Sequence, residues 1–263
     1  MPLASNARIG WQNRADEAGI SASSFVIDTP PAILQNPHVA RKWRGVAGEA
    51  EYLTFDLGAQ RSIDCVALMG LNLTEAGLTR IRASTGDSSG QHGDAHDSDP
   101  AGASAGRVNP RYPSLIHLLP APVTARYVRI DLAEPGAPYI EAGRAFIGLA
   151  EQVTYNFAFG WQRGFADRSR TTKSRGGQTY IDRDNGYRTL DLTFEAITQE
   201  QRYGLFEDVD QFNGKRTDIL FVTDPTSGEL GRDAIWGLVS EMTPIGQPHH
   251  RTYSKTFRIE ERL

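Results

Sequence analysis

The residues best suited to chemistry in this sequence are two histidines and two aspartates within residues 92–97: His92, Asp94, His96 and Asp97. Imidazole nitrogens and carboxylate oxygens are common ligands of transition metals. The four residues lie in a segment of Ser, Gly, Asp and Ala, which must become ordered before it can bind an ion. We therefore predict a solvated loop at this position and no metal site.

The other reactive side chains lack a catalytic arrangement. Cys65 is the single cysteine, which excludes an internal disulfide, and its apolar neighbours predict a buried thiol. His249 and His250 follow Pro248 and predict a turn. The sequence has no nucleophile elbow, phosphate loop or zinc-binding helix motif. We therefore expect no enzyme and no cofactor, although the abundant carboxylates leave a glycosidase open on residue types alone.

Composition excludes several classes of protein. With 39% hydrophobic and 23% charged residues among 263, the chain can bury a core. It carries 28 Lys and Arg against 32 Asp and Glu, and neither half has the basic excess that nucleic-acid binding requires. No apolar run approaches the ~18 residues of a membrane helix, and the first residues lack the pattern of a signal peptide. We expect no nucleic-acid partner, no membrane insertion and synthesis in a cytoplasm.

Short apolar and alternating segments predict strands in the first part of the chain, residues 1–150. Loops containing Gly and Pro separate these segments, and this spacing is typical of an all-β sandwich rather than of βαβ units. The predicted strands are 52–57, 63–69, 78–83, 126–132 and 144–149. Residues 84–110 interrupt them with Ser, Gly, Asp and Ala, a composition that predicts a long mobile loop.

The second part, residues 151–263, predicts a compact β-barrel or sandwich with one packed helix. The predicted strands are 153–160, 188–195, 218–222, 234–240 and 251–260. Residues 163–175 are too polar for a core, and they are predicted either as an arm that reaches a neighbouring subunit or as a solvated loop.

The helix is predicted near residues 199–213. Thr198 and Gln201 form a capping box at its start, and Gly214 is a stop signal. A period of 3.6 residues predicts an apolar stripe of Tyr203, Phe206 and Val209, with Phe212 or Leu205.

Three motifs of the first part occur in the order of a known family. They are YLTFDLGAQRSI at 52–63, the buried segment 66–71 and ARYVRIDL at 125–132. Over residues 11–150 the chain resembles the discoidin, or coagulation-factor type C, domain. The resemblance implies a galactose-binding-like jelly roll, a fold that often binds glycans through loops at one end.

The same resemblance implies a carbohydrate site. Trp43 and Arg44 lie where the family places a tryptophan after its first variable loop, and Asn72 lies in another loop that the family uses. Sugar sites combine an aromatic face with planar polar groups, and we therefore predict binding by Trp43, Arg44 and Asn72. The alternative is that these residues only pack or cap the fold. Residues 39–45 lack the acidic turn of the family's calcium loop, so calcium is not expected.

The second part is similar to the tail-tube-like domains of distal tail and baseplate proteins in long-tailed bacteriophages. The likeness rests on the strand at 188–194, the helix with its aromatic side chains, the strand at 214–221 and the terminal strand. It implies a virion protein of the tail tip that forms a ring with itself, contacts other tail proteins and displays the first domain towards host-surface glycans. The alternatives are a purely architectural tail protein and a glycan-processing enzyme with an accessory binding module.

Overall fold

The structure is a computed structural model that describes residues 5–46, 48–98 and 113–263. The chain divides into two compact units: unit 1 comprises Met1–Val153 and Ile219–Trp236, and unit 2 comprises Thr154–Asp218 and Gly237–Leu263. The first boundary lies close to the predicted division after residue 150. Residues 219–236, which the sequence analysis assigned to the second domain, belong to unit 1.

The regular secondary structure of unit 1 consists almost entirely of antiparallel strands. They are β1 (Arg8–Gly10), β2 (Gly19–Ala22), β3 (Trp43–Arg44), β4 (Ala50–Met69), β5 (Leu78–Ser84), β6 (His96–Asp97), β7 (Ser114–Ala133), β8 (Glu141–Ala142), β9 (Arg144–Gly148) and β10 (Ala150–Gln152). Two short 3-10 helices, Arg14–Glu17 and Pro31–Gln35, lie between the first strands. The prediction of a mainly β protein is confirmed.

Strands β4 and β7 form the centre of unit 1, and each contributes to two layers. At one end of this pair Ala50 lies opposite Ala133, and at the other end Met69 lies opposite Ser114. Near the Ala50 end, β2 pairs with β4 and β5 pairs with β7, whereas near the Met69 end β9 pairs with β4. Alternate apolar side chains such as Leu53, Phe55 and Ile130 fill the core between the layers, which makes this part a β-sandwich.

A second apolar cluster covers the other face of the β4–β9 layer. Cys65, Ala67 and Phe146 pack there against residues of β15 (Ile219–Val222) and against Trp236, at the start of β16 (Ala234–Glu241). A short helix, Leu230–Asp233, precedes β16. Cys65 is buried, as predicted, and burial raises the pKa of its thiol.

The predicted loop 84–110 lies partly outside the described residues, which end at residue 98 and resume at residue 113. Its described part is bonded to the sheet and to itself. Thr85 N donates to Asp94 Oδ1 over 2.9 Å, His92 N donates to Asp87 Oδ2 over 2.9 Å, and β6 pairs with β5. Among the described residues, no group of three or more His, Cys, Asp or Glu side chains is arranged to hold a metal.

Unit 2 is an antiparallel sheet with a helical segment packed on it. Its strands are β11 (Gln162–Ala166), β12 (Arg170–Lys173), β13 (Thr179–Asp182), β14 (Tyr187–Thr198), β17 (Gly246–His249) and β18 (Thr252–Glu261), together with the last residues of β16. Strand β14 pairs with β11 on one side and with β18 on the other. Phe194, Phe206 and Phe257 meet in the core with ring centroids 5.2–6.1 Å apart.

The helical segment begins and ends where the sequence predicts. Thr198 Oγ1 accepts from Gln201 N over 3.3 Å, and Gly214 ends the segment with a φ of 51°. The predicted stripe is partly wrong. Phe206 and Val209 are buried as predicted, and of the two alternatives Leu205 is buried and Phe212 is exposed, but Tyr203 is exposed. The α-helical turn Gln199–Gln201 continues as π-helical turns at Arg202–Phe206 and Val209–Asn213, so the period of 3.6 residues does not hold.

Two further segments differ from, or refine, the predictions. Residues 153–160 form irregular backbone with a bend at 154–155 and a turn at 159–160, rather than the predicted strand, and Gly160 in that turn adopts a φ of 93°. The polar segment 163–175 contributes to β11 and β12, and β12 pairs with β13 as an isolated hairpin in which every strand residue is exposed. Among the described residues, no helix is long and apolar enough to cross a membrane.

Candidate functional site

Three loops of unit 1 meet where β3 pairs with β8. Trp43 lies opposite Ala142 and Arg44 opposite Glu141 in this short ladder. Asn72, in the loop after β4, bonds to the backbone just before β8. The loop before β3 passes close to Gly143, because a Cβ at that position would lie 2.0 Å from the carbonyl oxygen of Val39. The structure therefore brings all three predicted site residues together, although they come from distant parts of the chain.

Trp43 does not present its ring to a ligand. The side chain is fully buried in the sandwich core beside residues such as Leu34 and Phe55, and its Nε1 donates to the carbonyl oxygen of Ser24 over 3.2 Å. Because a sugar needs an accessible ring face for stacking, the predicted ligand contact of Trp43 is not compatible with this arrangement. Trp43 instead anchors the loop that carries Arg44.

Asn72 fixes backbone rather than facing a cleft. Its Nδ2 donates to the carbonyl oxygen of Tyr139 over 2.9 Å, and its Oδ1 accepts from the backbone N–H of Glu141 over 2.9 Å. Both ends of the amide are thus engaged by one short segment of backbone. Asn72 positions Glu141 and is itself occupied.

Arg44 forms the wall of an open cleft with residues that the sequence analysis did not identify. Its Nε and Nη2 donate to Glu141 Oε2 over 3.3 and 3.0 Å, and Lys42 Nζ lies 3.3 Å from Glu141 Oε1. The Arg44 guanidinium lies 4.0 Å from the ring centroid of Tyr139. We name this the loop-end cleft; its volume is about 430 Å³ and its lining is Val26, Thr29, Ala40, Lys42, Arg44 and Glu141.

The polar groups of the loop-end cleft remain accessible. The Arg44 side chain is 43% exposed and the Lys42 side chain 32%, whereas Glu141 is 14% exposed. Val26, which lines the cleft with these polar groups, is an exposed apolar side chain. Fixed donors, a fixed acceptor and apolar surface are what a ligand with both hydroxyl groups and C–H faces requires.

Sequence signals explain only part of this site. Lys42 and Arg44 flank Trp43, and a basic pair in a loop is visible in the sequence. Nothing local marks Glu141 or Tyr139, because they approach Arg44 only when β8 pairs with β3. The pairing of the Glu141 carboxylate with Lys42 and Arg44 therefore could not be predicted from the neighbouring sequence.

No protein-family model matches the chain, and no curated protein matches its sequence. Solved structures match part of it. A chitosan-binding module of a chitosanase/glucanase from Paenibacillus sp. IK-5 is 15% identical, with a TM-score of 0.42, and the match covers 52% of this chain and 98% of that module. The lectin domain of lectinolysin complexed with Lewis B antigen is 15% identical, with a TM-score of 0.40 and coverage of 53% and 98%. A GH29 fucosidase from Ruminococcus gnavus in complex with fucose is 12% identical, with a TM-score of 0.42 and coverage of 53% and 27%.

Proposed function

We propose that unit 1 is a carbohydrate-binding module and that the loop-end cleft is its site. The observation that carries this proposal is the ordered set of Lys42, Glu141 and Arg44 over Tyr139 in an open cleft. Glu141 can accept from sugar hydroxyls, and the two cations can donate to them. Because the three groups already hold one another in place, little side-chain freedom is lost when a ligand binds.

Binding of host cell-surface polysaccharide tests this assignment. Arg44→Ala and Glu141→Gln are expected to abolish retention of the full chain on immobilised polysaccharide. Arg126→Ala is the matched control, because Arg126 also pairs with a carboxylate, Asp56, over 2.8 Å and also lies beside a tyrosine ring, Tyr127, at 5.0 Å. If both cleft variants bind like the wild type, the loop-end cleft is not the site.

We further propose that unit 2 assembles the protein into the tail tip or baseplate of a long-tailed phage. The support is the resemblance of its strand and helix order to tail-tube-like domains, together with exposed apolar side chains. These are Tyr155, Phe159, Trp161, Phe165, Tyr180, Ile181, Tyr203, Phe212 and Met242. The isolated β12–β13 hairpin adds to this, since a two-stranded hairpin alone is marginally stable in water.

In this proposal the chain is a non-catalytic virion component made in the host cytoplasm. It forms a ring with itself and binds neighbouring tail proteins, and several copies of unit 1 on one ring would make weak glycan affinity sufficient. The architectural alternative predicts rings without glycan binding. The enzyme alternative predicts glycan hydrolysis by the purified protein.

Light scattering and negative-stain imaging of the purified chain test the assembly. A closed ring is expected, and Phe165→Ser together with Ile181→Ser should shift it towards monomer. Loss of two apolar contacts at each interface is the physical reason. A Thr171→Ser, Thr172→Ser variant of the same hairpin is the control. A wild-type protein that stays monomeric at high concentration and also fails to bind phage tails lacking it would contradict the proposal.

A further inference from the structure

The outward face of the β4–β7–β5 sheet carries an ordered set of polar side chains that the proposed function does not use. Strand register places them in rows across the three strands. One row is Tyr52, Asp131 and Arg80, and the next is Thr54, Arg129 and Arg82. The row before these is Ala50, Ala133 and Leu78, so two alanines and a leucine lie beside long polar side chains.

This difference in side-chain size leaves a groove. Its volume is about 380 Å³, within the ~300–1,000 Å³ range typical of ligand pockets. We name it the sheet-face groove, and its main lining residues are Ala50, Tyr52, Arg80, Arg129, Asp131 and Ala133. It lies on a sheet face, whereas the loop-end cleft is built by loops, and the two share no lining residue.

The guanidinium groups of the groove are held in place from two sides. Arg129 Nε donates to Asp131 Oδ1 over 2.9 Å, and Arg82 Nη2 donates to the other oxygen of Asp131. From the loop after β5, the carbonyl oxygen of Gln91 accepts from Arg82 over 2.7 Å and that of Ser89 accepts from Arg129 over 3.3 Å. These two side chains are only 11% and 12% exposed, so their orientations are fixed.

Tyr52 adds a fixed aromatic ring. The Arg129 guanidinium lies 3.7 Å from the centroid of the Tyr52 ring, and this cation–π contact fixes the position of both side chains. Arg80, in the same row, pairs with Asp97 through 2.8 and 2.6 Å hydrogen bonds. Both members of that pair are about one-quarter exposed, so a ligand anion can replace Asp97 at modest cost.

The charges specify what fits. Three guanidinium groups face the groove, and two carboxylates pair with them: Asp131 with Arg82 and Arg129, and Asp97 with Arg80. One positive charge of this set is therefore left without a paired carboxylate. An anion balances the remaining positive charge, while the Asp131 carboxylate, 28% exposed, can accept a further hydrogen bond from the same ligand. A phosphodiester group has no hydrogen-bond donor for Asp131. An acidic sugar has a carboxylate for the guanidinium groups, hydroxyl groups for Asp131 and C–H faces that can pack on Ala50 and Ala133.

We infer that the sheet-face groove binds a uronate-containing oligosaccharide, separately from the loop-end cleft. A sugar carboxylate would pair with Arg80 and lie near Arg129, and a ring hydroxyl would donate to Asp131. Binding here does not depend on the proposed loop-end site, so either assignment can fail alone.

Isothermal titration of the full chain with trigalacturonate tests the inference, with maltotriose as the neutral trisaccharide. Trigalacturonate is expected to bind and maltotriose is not. Arg80→Ala should weaken binding by roughly 10- to 100-fold, the cost of a lost hydrogen bond between charged groups. Arg126→Ala, on the same sheet but outside the groove, should leave it unchanged, and circular dichroism of each variant checks that it is folded.

Four results would overturn the inference. Equal binding of both trisaccharides would show that the guanidinium groups do not select a carboxylate. Inorganic sulfate that competes as well as trigalacturonate would show a simple anion site. Loss of trigalacturonate binding in Arg44→Ala, but not in Arg80→Ala, would place the ligand in the loop-end cleft. A protein that binds no trigalacturonate but binds neutral glycans through Arg44 would refute this inference and leave the proposed function intact.

Discussion

Replacement of Asn72 by alanine is expected to destabilise unit 1 and to disorder the loop-end cleft without removing any group that touches a ligand. The amide makes two hydrogen bonds of 2.9 Å each, one to Tyr139 O and one from Glu141 N. Alanine would leave both partly buried backbone groups without this partner. At about 1 kcal/mol for each, and more where water cannot replace the bond, the loss is about 2–3 kcal/mol.

Differential scanning calorimetry measures the effect. A loss of about 2–3 kcal/mol corresponds to a decrease in the Tm of unit 1 of roughly 4–12 °C for a unit of this size. Asn36→Ala is the matched control, because Asn36 Oδ1 accepts one local hydrogen bond, from His38 N over 3.0 Å. It should change the Tm by less than about 2 °C.

Glycan binding then separates a positioning residue from a contact residue. Arg44→Ala removes a partly exposed ion pair worth about 0–1 kcal/mol, so it should lose binding while nearly keeping the wild-type Tm. Asn72→Ala should lower both the Tm and the affinity. An Asn72→Ala protein that loses binding but retains its Tm would refute this reasoning, since Asn72 would then act on the ligand directly.

Three further substitutions have defined outcomes. Trp43→Ala should cost about 3–5 kcal/mol in urea unfolding, because it leaves a cavity in the core; a cost below 1 kcal/mol would contradict the burial described above. Lys255, 1% exposed, donates to Asp210 over 2.7 Å, so Asp210→Ala should cost about 3–5 kcal/mol and Lys255→Met much less; urea midpoints in the opposite order would contradict this. Burial lowers the pKa of His96, and the nearby charge of Asp97 only partly offsets this effect. Because the unfolded chain then binds the proton more readily, the free energy of unfolding should fall as the pH drops below about 6.5, the ordinary pKa of histidine. His96→Gln should reduce that loss between pH 7.5 and 5.5, and an unchanged pH dependence would exclude His96 as its source.

The strands of this protein were largely predictable because their signal is local. Alternation at 188–195 corresponds to β14, and the alternating segment 52–57 lies within β4. The start and end of the helical segment were also local, since Thr198 bonds to Gln201 N and Gly214 adopts a positive φ. The π-helical turns were not, because a period calculation assumes one helix geometry throughout.

The two sites were predictable only in part. The family resemblance predicted that Arg44 and Asn72 lie in loops that bind a glycan, but the roles of Asn72 and Trp43 depend on which atoms lie opposite them. The groove residues Arg80, Arg82 and Arg129 are visible as alternating arginines in two strands. Only the register that sets Arg82 opposite Arg129 and Arg80 opposite Asp131 shows that they share one face.

The sequence by itself therefore determined the strand-rich class, the position of the helix and the absence of a basic excess, because each follows from residue type and spacing over a few positions. Only the tertiary structure decided which side chains are accessible and which charges meet. Arg44 and Glu141 are 97 positions apart, and the β3–β8 ladder brings them together, with Asn72 holding the backbone at Glu141. Trp43 and Arg44 are adjacent in the chain, yet one is in the core and the other in the cleft, because successive side chains of a strand point to opposite faces.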